Sequence, residues 1–169
     1  RVELAYLRAL VADRIAAFGL VRTSLGYILL DEAGMTGLAE RIEGPRFIEA
    51  HRMSPFVARA TDVDVISDLM IHDIDIILNI VKSPIKTIHT VGAPVATANT
   101  DIANARLEFA NGAAANVTAS RVSREDSRRI RVFEPQHYLS LDFIAQRLET
   151  ARAVPVEGAE WPEIRTAAL

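Results

Sequence analysis

The chain of 169 residues contains no cysteine, which excludes a disulfide framework and any metal site built on thiolates. No apolar stretch approaches the roughly 20 residues that a helix needs to cross a bilayer. The net charge of −3 provides no general attraction to nucleic acid or to an anionic membrane surface. We therefore expect a cytoplasmic protein with neither nucleic acid nor a membrane as its partner, and the missing cysteine fits that reducing compartment.

Glycine is also scarce, with eight residues at scattered single positions and none in the pattern G-x-G-x-x-G. That pattern lets bare backbone approach the pyrophosphate of a dinucleotide at the start of a helix. Lysine is rarer still, because only Lys82 and Lys86 are present. We therefore expect no dinucleotide-binding site within this chain. The hydrophobic content of 50% is nevertheless ample for the core of one domain.

The most informative segment is residues 68–75, which read Asp-Leu-Met-Ile-His-Asp-Ile-Asp. Asp68 and His72 stand four residues apart, and Asp75 follows three residues later. At about 100° per residue, these three side chains share one face of a helix, with apolar residues on the opposite face. A carboxylate beside a histidine fixes its tautomer and raises its pKa, which suits proton transfer near neutral pH. A solvated polar face with an incidental histidine is the alternative interpretation.

The remaining sequence predicts a sheet around this helix. Thr61, Asp62 and Asp64 offer oxygens to cap its start, and Ser83-Pro84 ends it. Apolar and polar residues alternate in 101–110 and 113–122, on either side of an Asn-Gly pair that suits a tight hairpin. Further strands are predicted at 46–52, 85–91, 128–133, 138–143 and 147–152. One long helix among consecutive strands predicts an α+β fold with a largely antiparallel, open sheet.

These features resemble the C-terminal domain of the Gfo/Idh/MocA family of oxidoreductases (glucose–fructose oxidoreductase and inositol 2-dehydrogenase). That domain carries an Asp-x-Gly-x-His-x-x-Asp signature on its first helix, which Asp68, His72 and Asp75 match. Met70 replaces the usual glycine, and a helix interior accepts Met more readily than Gly. The segments 45–56, 101–111 and 113–122 are also similar to the family, above all to a bacterial subgroup associated with nucleotide-sugar dehydrogenation.

The resemblance implies an enzyme that uses NAD or NADP, with the motif helix at the edge of the sheet nearest a cofactor domain. It implies that His72 is the general acid/base and that Asp68 orients it or holds a substrate hydroxyl. Asp75 would bind substrate or brace a neighbouring loop. Arg52 and Arg59 precede the helix, and the donors of either guanidinium suit an anionic group such as a diphosphate. A plain surface role is equally open for both arginines.

The family's Glu-Lys-Pro motif is absent, as is the glycine-rich turn of its cofactor domain. The sequence therefore resembles a fragment, and we expect the chain alone to bind no cofactor and to be inactive. Residues 36–152 form the predicted domain, and 153–169 a Pro/Glu-rich, irregular tail. Residues 1–35 stay unassigned, because a remnant, a family-specific addition and non-native sequence all remain open.

Two classes of function follow from this sequence. The first is the substrate-binding, catalytic half of an NAD(P)-dependent sugar or nucleotide-sugar dehydrogenase. The second is a catalytically silent module that associates through its sheet, since the family commonly forms homo-oligomers in that way. A metal-dependent sugar enzyme is a distant third, since the side chains of Asp68, His72 and Asp75 are of types that ligate cations. His51, His89 and His137 form no metal-ligand spacing with one another, and we predict no metal site.

Overall fold

A computed structural model of the protein describes residues 42–58 and 61–168, together with Ala9. Arg59 and, apart from Ala9, the unassigned segment 1–35 lie outside the described residues. Within the residues that are described, no helix is long and apolar enough to cross a membrane.

The described chain is a single mixed sheet with one helix packed on it. Its elements in order are β1 (Phe47–Met53), a π-helical turn (Ile66–Met70) that continues into α1 (Ile71–Val81), β2 (Ile85–Ala93), β3 (Ile102–Phe109), β4 (Ala114–Ser120), β5 (Ser127–Glu134), β6 (His137–Asp142), β7 (Arg147–Val154) and β8 (Glu163–Ala168). The strand order is β2-β3-β4-β1-β5-β6-β7-β8. Among the strands of the described residues, only β1 and β4 pair in parallel, so the predicted α+β fold with a largely antiparallel, open sheet is confirmed.

The helix lies over β1 and β4, in the interior of the strand order. Small side chains explain this position. Ala50 on β1 and Ala115 and Ala119 on β4 are fully buried, and such residues let a helix approach a sheet closely. The apolar side of α1, including the fully buried Ile74 and Ile77, packs into the same core.

The predicted tail is not wholly irregular, because β8 pairs antiparallel with β7 along its whole length. All six residues of β8 are exposed. A strand without a buried face shows no alternation of apolar and polar residues, which is the signal that strand prediction depends on. The expectation of an irregular segment was therefore wrong for Glu163–Ala168.

Asp64 caps the start of the helix, as one of the three predicted cap residues. Its Oδ1 accepts hydrogen bonds from the backbone N–H groups of Ile66 and Ser67, each at 2.9 Å. At the other end, Lys82 adopts a left-handed conformation with φ 49° and its N–H donates to the carbonyl of Leu78. The helix therefore ends just before Ser83-Pro84, where the sequence predicted it to end.

A buried polar cluster attaches the start of the helix to the sheet. The carboxylate of Asp101 accepts hydrogen bonds from the N–H groups of the loop before β3, at 2.7 to 2.8 Å. Arg121, at the end of β4, lies 3.4 Å from that carboxylate and also donates to the carbonyls of Val63 and Thr100. Thr100 in turn accepts from the N–H of Val65. These bonds fix where the motif helix begins.

Candidate active site

The motif residues lie on the half-exposed side of the helix, as their spacing predicted. His72, Asp68 and Asp75 are all half-buried, whereas Met70 is fully buried in the core. Asp68 belongs to the π-helical turn, in which hydrogen bonds span five residues instead of four. A wheel drawn at 100° per residue therefore describes α1 well and this first turn only approximately. Single π turns are frequent at functional sites.

Asp73 and Arg52 form a buried ion pair directly beside His72. The Arg52 Nε lies 2.9 Å from one carboxylate oxygen of Asp73, and Nη2 lies 2.7 Å from the other. The side chains are only 4% and 3% exposed, so both charges are removed from water and must neutralise each other. The pair joins β1 to α1 and sets the position of the residue preceding Asp73, which is His72.

The environment lowers the pKa of His72 below its ordinary value. Burial is the largest cause, and the positive charge of Arg52 adds to it. The carboxylates of Asp73, Asp68 and Asp75 act in the opposite direction, as the sequence predicted for such neighbours. Their effect is outweighed, so the expected rise in the pKa was wrong. The imidazole is consequently neutral at neutral pH, which is the form that accepts a proton.

Asp75 is braced from within the helix. The side-chain amide of Asn79 donates to the backbone carbonyl of Asp75 at 2.9 Å and to its carboxylate at 3.2 Å. Residues four apart meet on a helix surface, so this contact is local. It holds the carboxylate of Asp75 on the same side of α1 as His72.

Of the two arginines predicted to bind an anion, the structure describes Arg52 alone. Arg59 lies outside the described residues, so its role in binding an anion stays a prediction. Arg52 is described, and its guanidinium is engaged by Asp73 in a buried site. This placement favours a structural and electrostatic role for Arg52 over direct contact with an anionic ligand.

Sequence reasoning gave no role to Asp73, although a signal for one was present. A carboxylate on the apolar side of an amphipathic helix needs a buried cationic partner, because an unpaired buried charge is very costly. Arg52, at the end of a strand of alternating polarity, falls on the apolar face with Ile48 and Ala50. Two opposite charges on apolar faces, one on the strand and one on the helix, would therefore have predicted the Arg52–Asp73 ion pair.

Among the described residues, no group of histidine, aspartate and glutamate side chains has the arrangement of a metal site. A cleft of about 770 Å³ opens at the other end of the sheet and is lined by Arg46, Glu134 and His137, among others. Arg46 and Arg52 are six positions apart on extended chain, which separates their backbones by about 20 Å. This cleft is therefore not part of the surroundings of His72.

Comparison with known proteins gives a consistent result. Residues 41–135 match the model of the GFO/IDH/MocA C-terminal domain. The chain is 43% identical over 104 residues to a UDP-N-acetylglucosamine 3-dehydrogenase of Acidithiobacillus ferrooxidans, a match that covers 62% of this chain and 33% of that protein. A solved structure of that dehydrogenase superposes with a TM-score of 0.71 at 32% identity, covering 94% of this chain and 53% of the other.

More distant structures share the fold. An inositol dehydrogenase homologue of Azotobacter vinelandii, solved with NADH and myo-inositol, has a TM-score of 0.62 at 16% identity, covering 80% of this chain and 38% of that one. The chain thus spans between one third and about half of the length of the relatives it matches. Since the family model covers more than half of the sequence, the chain belongs to the Gfo/Idh/MocA family through its C-terminal domain.

Proposed function

We propose that this chain is the substrate-binding and acid–base half of an NAD(P)-dependent dehydrogenase that acts on a nucleotide sugar. The observation that carries the proposal is the setting of His72, a half-buried imidazole on the same helix as the half-buried Asp68 and Asp75 and directly before Asp73 of the buried ion pair. The similarity to a UDP-N-acetylglucosamine 3-dehydrogenase supports the choice of substrate class.

In this proposal, the nicotinamide is held by a cofactor domain outside this sequence and accepts the hydride from a ring carbon of the sugar. His72 takes the proton from the hydroxyl on that carbon, since its neutral ring has a lone pair to accept it. Asp68 orients the imidazole ring of His72 or holds a substrate hydroxyl. The carboxylate of Asp75, which Asn79 braces, accepts a hydrogen bond from another substrate hydroxyl. The buried Arg52–Asp73 pair keeps the helix, and hence His72, in place.

The test uses the complete natural protein that contains this chain. It is mixed with UDP-N-acetylglucosamine and NAD⁺ or NADP⁺, and the absorbance of the reduced nicotinamide is followed. We expect reduction that depends on the nucleotide sugar, and none when the 169-residue chain is assayed alone. Absence of turnover with a panel of nucleotide sugars, together with turnover of a non-phosphorylated polyol, would contradict the proposed substrate class.

A sheet-mediated interaction module is the second candidate, and one observation favours it. On the sheet face opposite α1, the ring of Phe133 packs at a tilt against those of Phe47 and Tyr138, at centroid distances of 5.9 and 5.0 Å. These rings are half-buried, and rings of that kind are enriched at the interfaces between protein subunits. Association without any dehydrogenase activity in the complete protein would support this candidate. In the dehydrogenase proposal, the same face forms a homo-oligomer of a cytoplasmic enzyme.

A further inference from the structure

Two arginines lie directly opposite each other on the face of the sheet that carries α1. The antiparallel pairing of β1 and β5 places Arg52 against Arg128. The neighbouring pair on the same face, Ala50 and Ile130, is buried in the core, so both arginine side chains leave the sheet on the helix side. Like charges directly opposite on neighbouring strands destabilise a sheet unless something compensates them.

Only one of the two charges is compensated within the part of the chain that the structure describes. Arg52 is neutralised by Asp73. Arg128 is half-buried, and no hydrogen bond or ion pair joins its side chain to another described residue. The other arginines of β5 differ, because Arg129 pairs with Asp142 at 2.8 Å and Arg131 with Glu49 at 2.6 Å. Both of these point to the opposite face of the sheet.

Arg128 is also close to the proposed reaction centre. Opposed residues of antiparallel strands have Cβ atoms about 5 Å apart, and Arg52 contacts Asp73, the residue that follows His72 in the chain. In a nucleotide sugar, the diphosphate is attached to the anomeric carbon, so it lies beside the ring whose hydroxyl reacts. A guanidinium opposite Arg52, without a carboxylate partner among the described residues, has the charge and donor geometry for such a phosphate.

We propose that Arg128 binds the diphosphate of the substrate and thereby selects nucleotide sugars over unphosphorylated sugars. This inference rests on the proposed function and names the residue that gives it substrate selectivity. The sequence suggested an anion-binding role for Arg52, but Asp73 already neutralises the charge of that residue. We assign the role to Arg128 instead.

The decisive comparison is between Arg128→Met and Arg129→Met in the complete natural protein. The first variant removes a charge on the helix side, and the second removes one a single residue away on the opposite face. Binding of UDP is measured by calorimetry, and KM is measured for the nucleotide sugar. A charge-assisted hydrogen bond corresponds to roughly a ten- to hundredfold change in affinity. We expect Arg128→Met to weaken UDP binding and raise KM by about that factor, with kcat nearly unchanged.

Arg129→Met should leave both quantities within about twofold of the parent, because its charge lies on the other face. Titration with NADH separates the two possible sources of a diphosphate. The inference is overturned if Arg128→Met binds UDP as the parent does, or if it loses affinity for NADH instead of UDP. Turnover of the nucleotide sugar in the same protein would show that the proposed function survives that failure.

A second measurement uses only the parent protein, so its result does not depend on whether a variant folds. Phenylglyoxal modifies accessible arginine side chains, and mass spectrometry reports the extent at each position. UDP should protect Arg128 in the parent protein and leave the modification of Arg129 unchanged. Equal modification of Arg128 with and without saturating UDP would overturn the inference, independently of any effect on folding.

Discussion

Arg52 and Asp73 form a bidentate ion pair, with N···O distances of 2.9 and 2.7 Å. The pair connects β1, in the interior of the sheet, to α1. Both side chains are almost fully buried, although each comes from a residue type that is rarely buried unless paired. Asp73 follows His72 in the chain. The pair therefore helps to position the imidazole, and the charge of Arg52 adds to the effect of burial in lowering the pKa of His72.

We predict that Asp73→Ala will destabilise the protein by about 3 to 5 kcal/mol, because it leaves the Arg52 guanidinium buried without a partner. Chemical denaturation followed by circular dichroism measures the free energy of unfolding. Arg147→Met is the matched control, since the pair of Arg147 with Glu149 is about half exposed and such pairs contribute about 0 to 1 kcal/mol.

The double variant Arg52→Met/Asp73→Leu distinguishes a buried charge from a lost contact. Replacing both partners removes the unpaired charge, so it should cost less than Asp73→Ala alone. A loss equal to that of Asp73→Ala would contradict the claim that an uncompensated charge is the main cause.

If the complete protein is the proposed dehydrogenase, His72→Ala should reduce its kcat by about 10² to 10⁴, the usual contribution of a general acid or base. The half-exposed position should limit the change in unfolding free energy to about 1 kcal/mol. Initial rates and denaturation curves are measured on the same preparations. Near-parental turnover in the variant would eliminate His72 as the acid/base group and leave only an amphipathic helix.

Asp68→Asn should shift the acidic limb of the kcat/KM profile to lower pH. The carboxylate of Asp68 raises the pKa of His72, so removing its charge lets that pKa fall further. A weaker base also slows proton transfer, and we expect a loss on the order of tenfold, smaller than that of His72→Ala. The pH profile of the variant is compared with that of the parent. A shift towards higher pH would contradict this electrostatic role of Asp68.

The fold was largely predictable because most strands bury one face. In β4, for instance, Ala115, Val117 and Ala119 are fully buried and alternate with half-buried residues, which is the period that strand prediction detects. The helix was equally clear from its apolar period and from the cap at Asp64. By contrast, β8 has no buried face and was missed.

The sequence predicted which residues of the site share one face of the helix. It did not predict the direction in which the pKa of His72 is shifted. The spacing of Asp68, His72 and Asp75 requires only local helical geometry. The direction of the pKa shift of His72 depends on burial and on Arg52, which is 20 residues earlier in the sequence and reaches His72 only through the fold. The pairing of Arg52 with Arg128 likewise depends on strand register, which neither segment reveals alone.

Asp101→Asn should lower the free energy of unfolding at neutral pH by about 2 to 3 kcal/mol. It should also make that free energy depend less on pH in the acidic range. Burial would raise the pKa of Asp101, but hydrogen bonds from Thr97, Val95 and Ala96 outweigh it and hold that pKa well below 3.8. A carboxyl whose pKa is depressed by folding contributes stability above its unfolded pKa and loses it as the pH falls below about 3.8.

Unfolding free energies between pH 6 and pH 2 test this directly. Asp126→Asn serves as the control, since Asp126 is exposed in the connection before β5. The difference between the parent and Asp101→Asn should shrink as the pH falls below about 3.8, whereas the control should follow the parent throughout. A difference that stayed constant down to pH 2 would rule out ionised Asp101 as the source of the stability.

The sheet face opposite α1 has the features of a surface through which subunits associate. Phe133, Phe47 and Tyr138 form a half-buried row of rings there, and the rest of the face carries polar groups that are largely paired within the sheet, such as Asn104 with Thr118. Paired polar groups can be desolvated at lower cost than unpaired ones. We therefore expect a dimer or tetramer at micromolar concentration in sedimentation velocity, with this face at the interface.

Phe133→Glu would place a charge in the middle of the ring cluster, so it should shift the sedimentation pattern towards monomer. The circular dichroism spectrum should show that the variant remains folded. Ile144→Glu, at an exposed position in the turn after β6, is the control and should leave the assembly intact. A parent protein that sediments as a monomer, or a Phe133→Glu variant that assembles as the parent does, would show that subunits do not meet through this face.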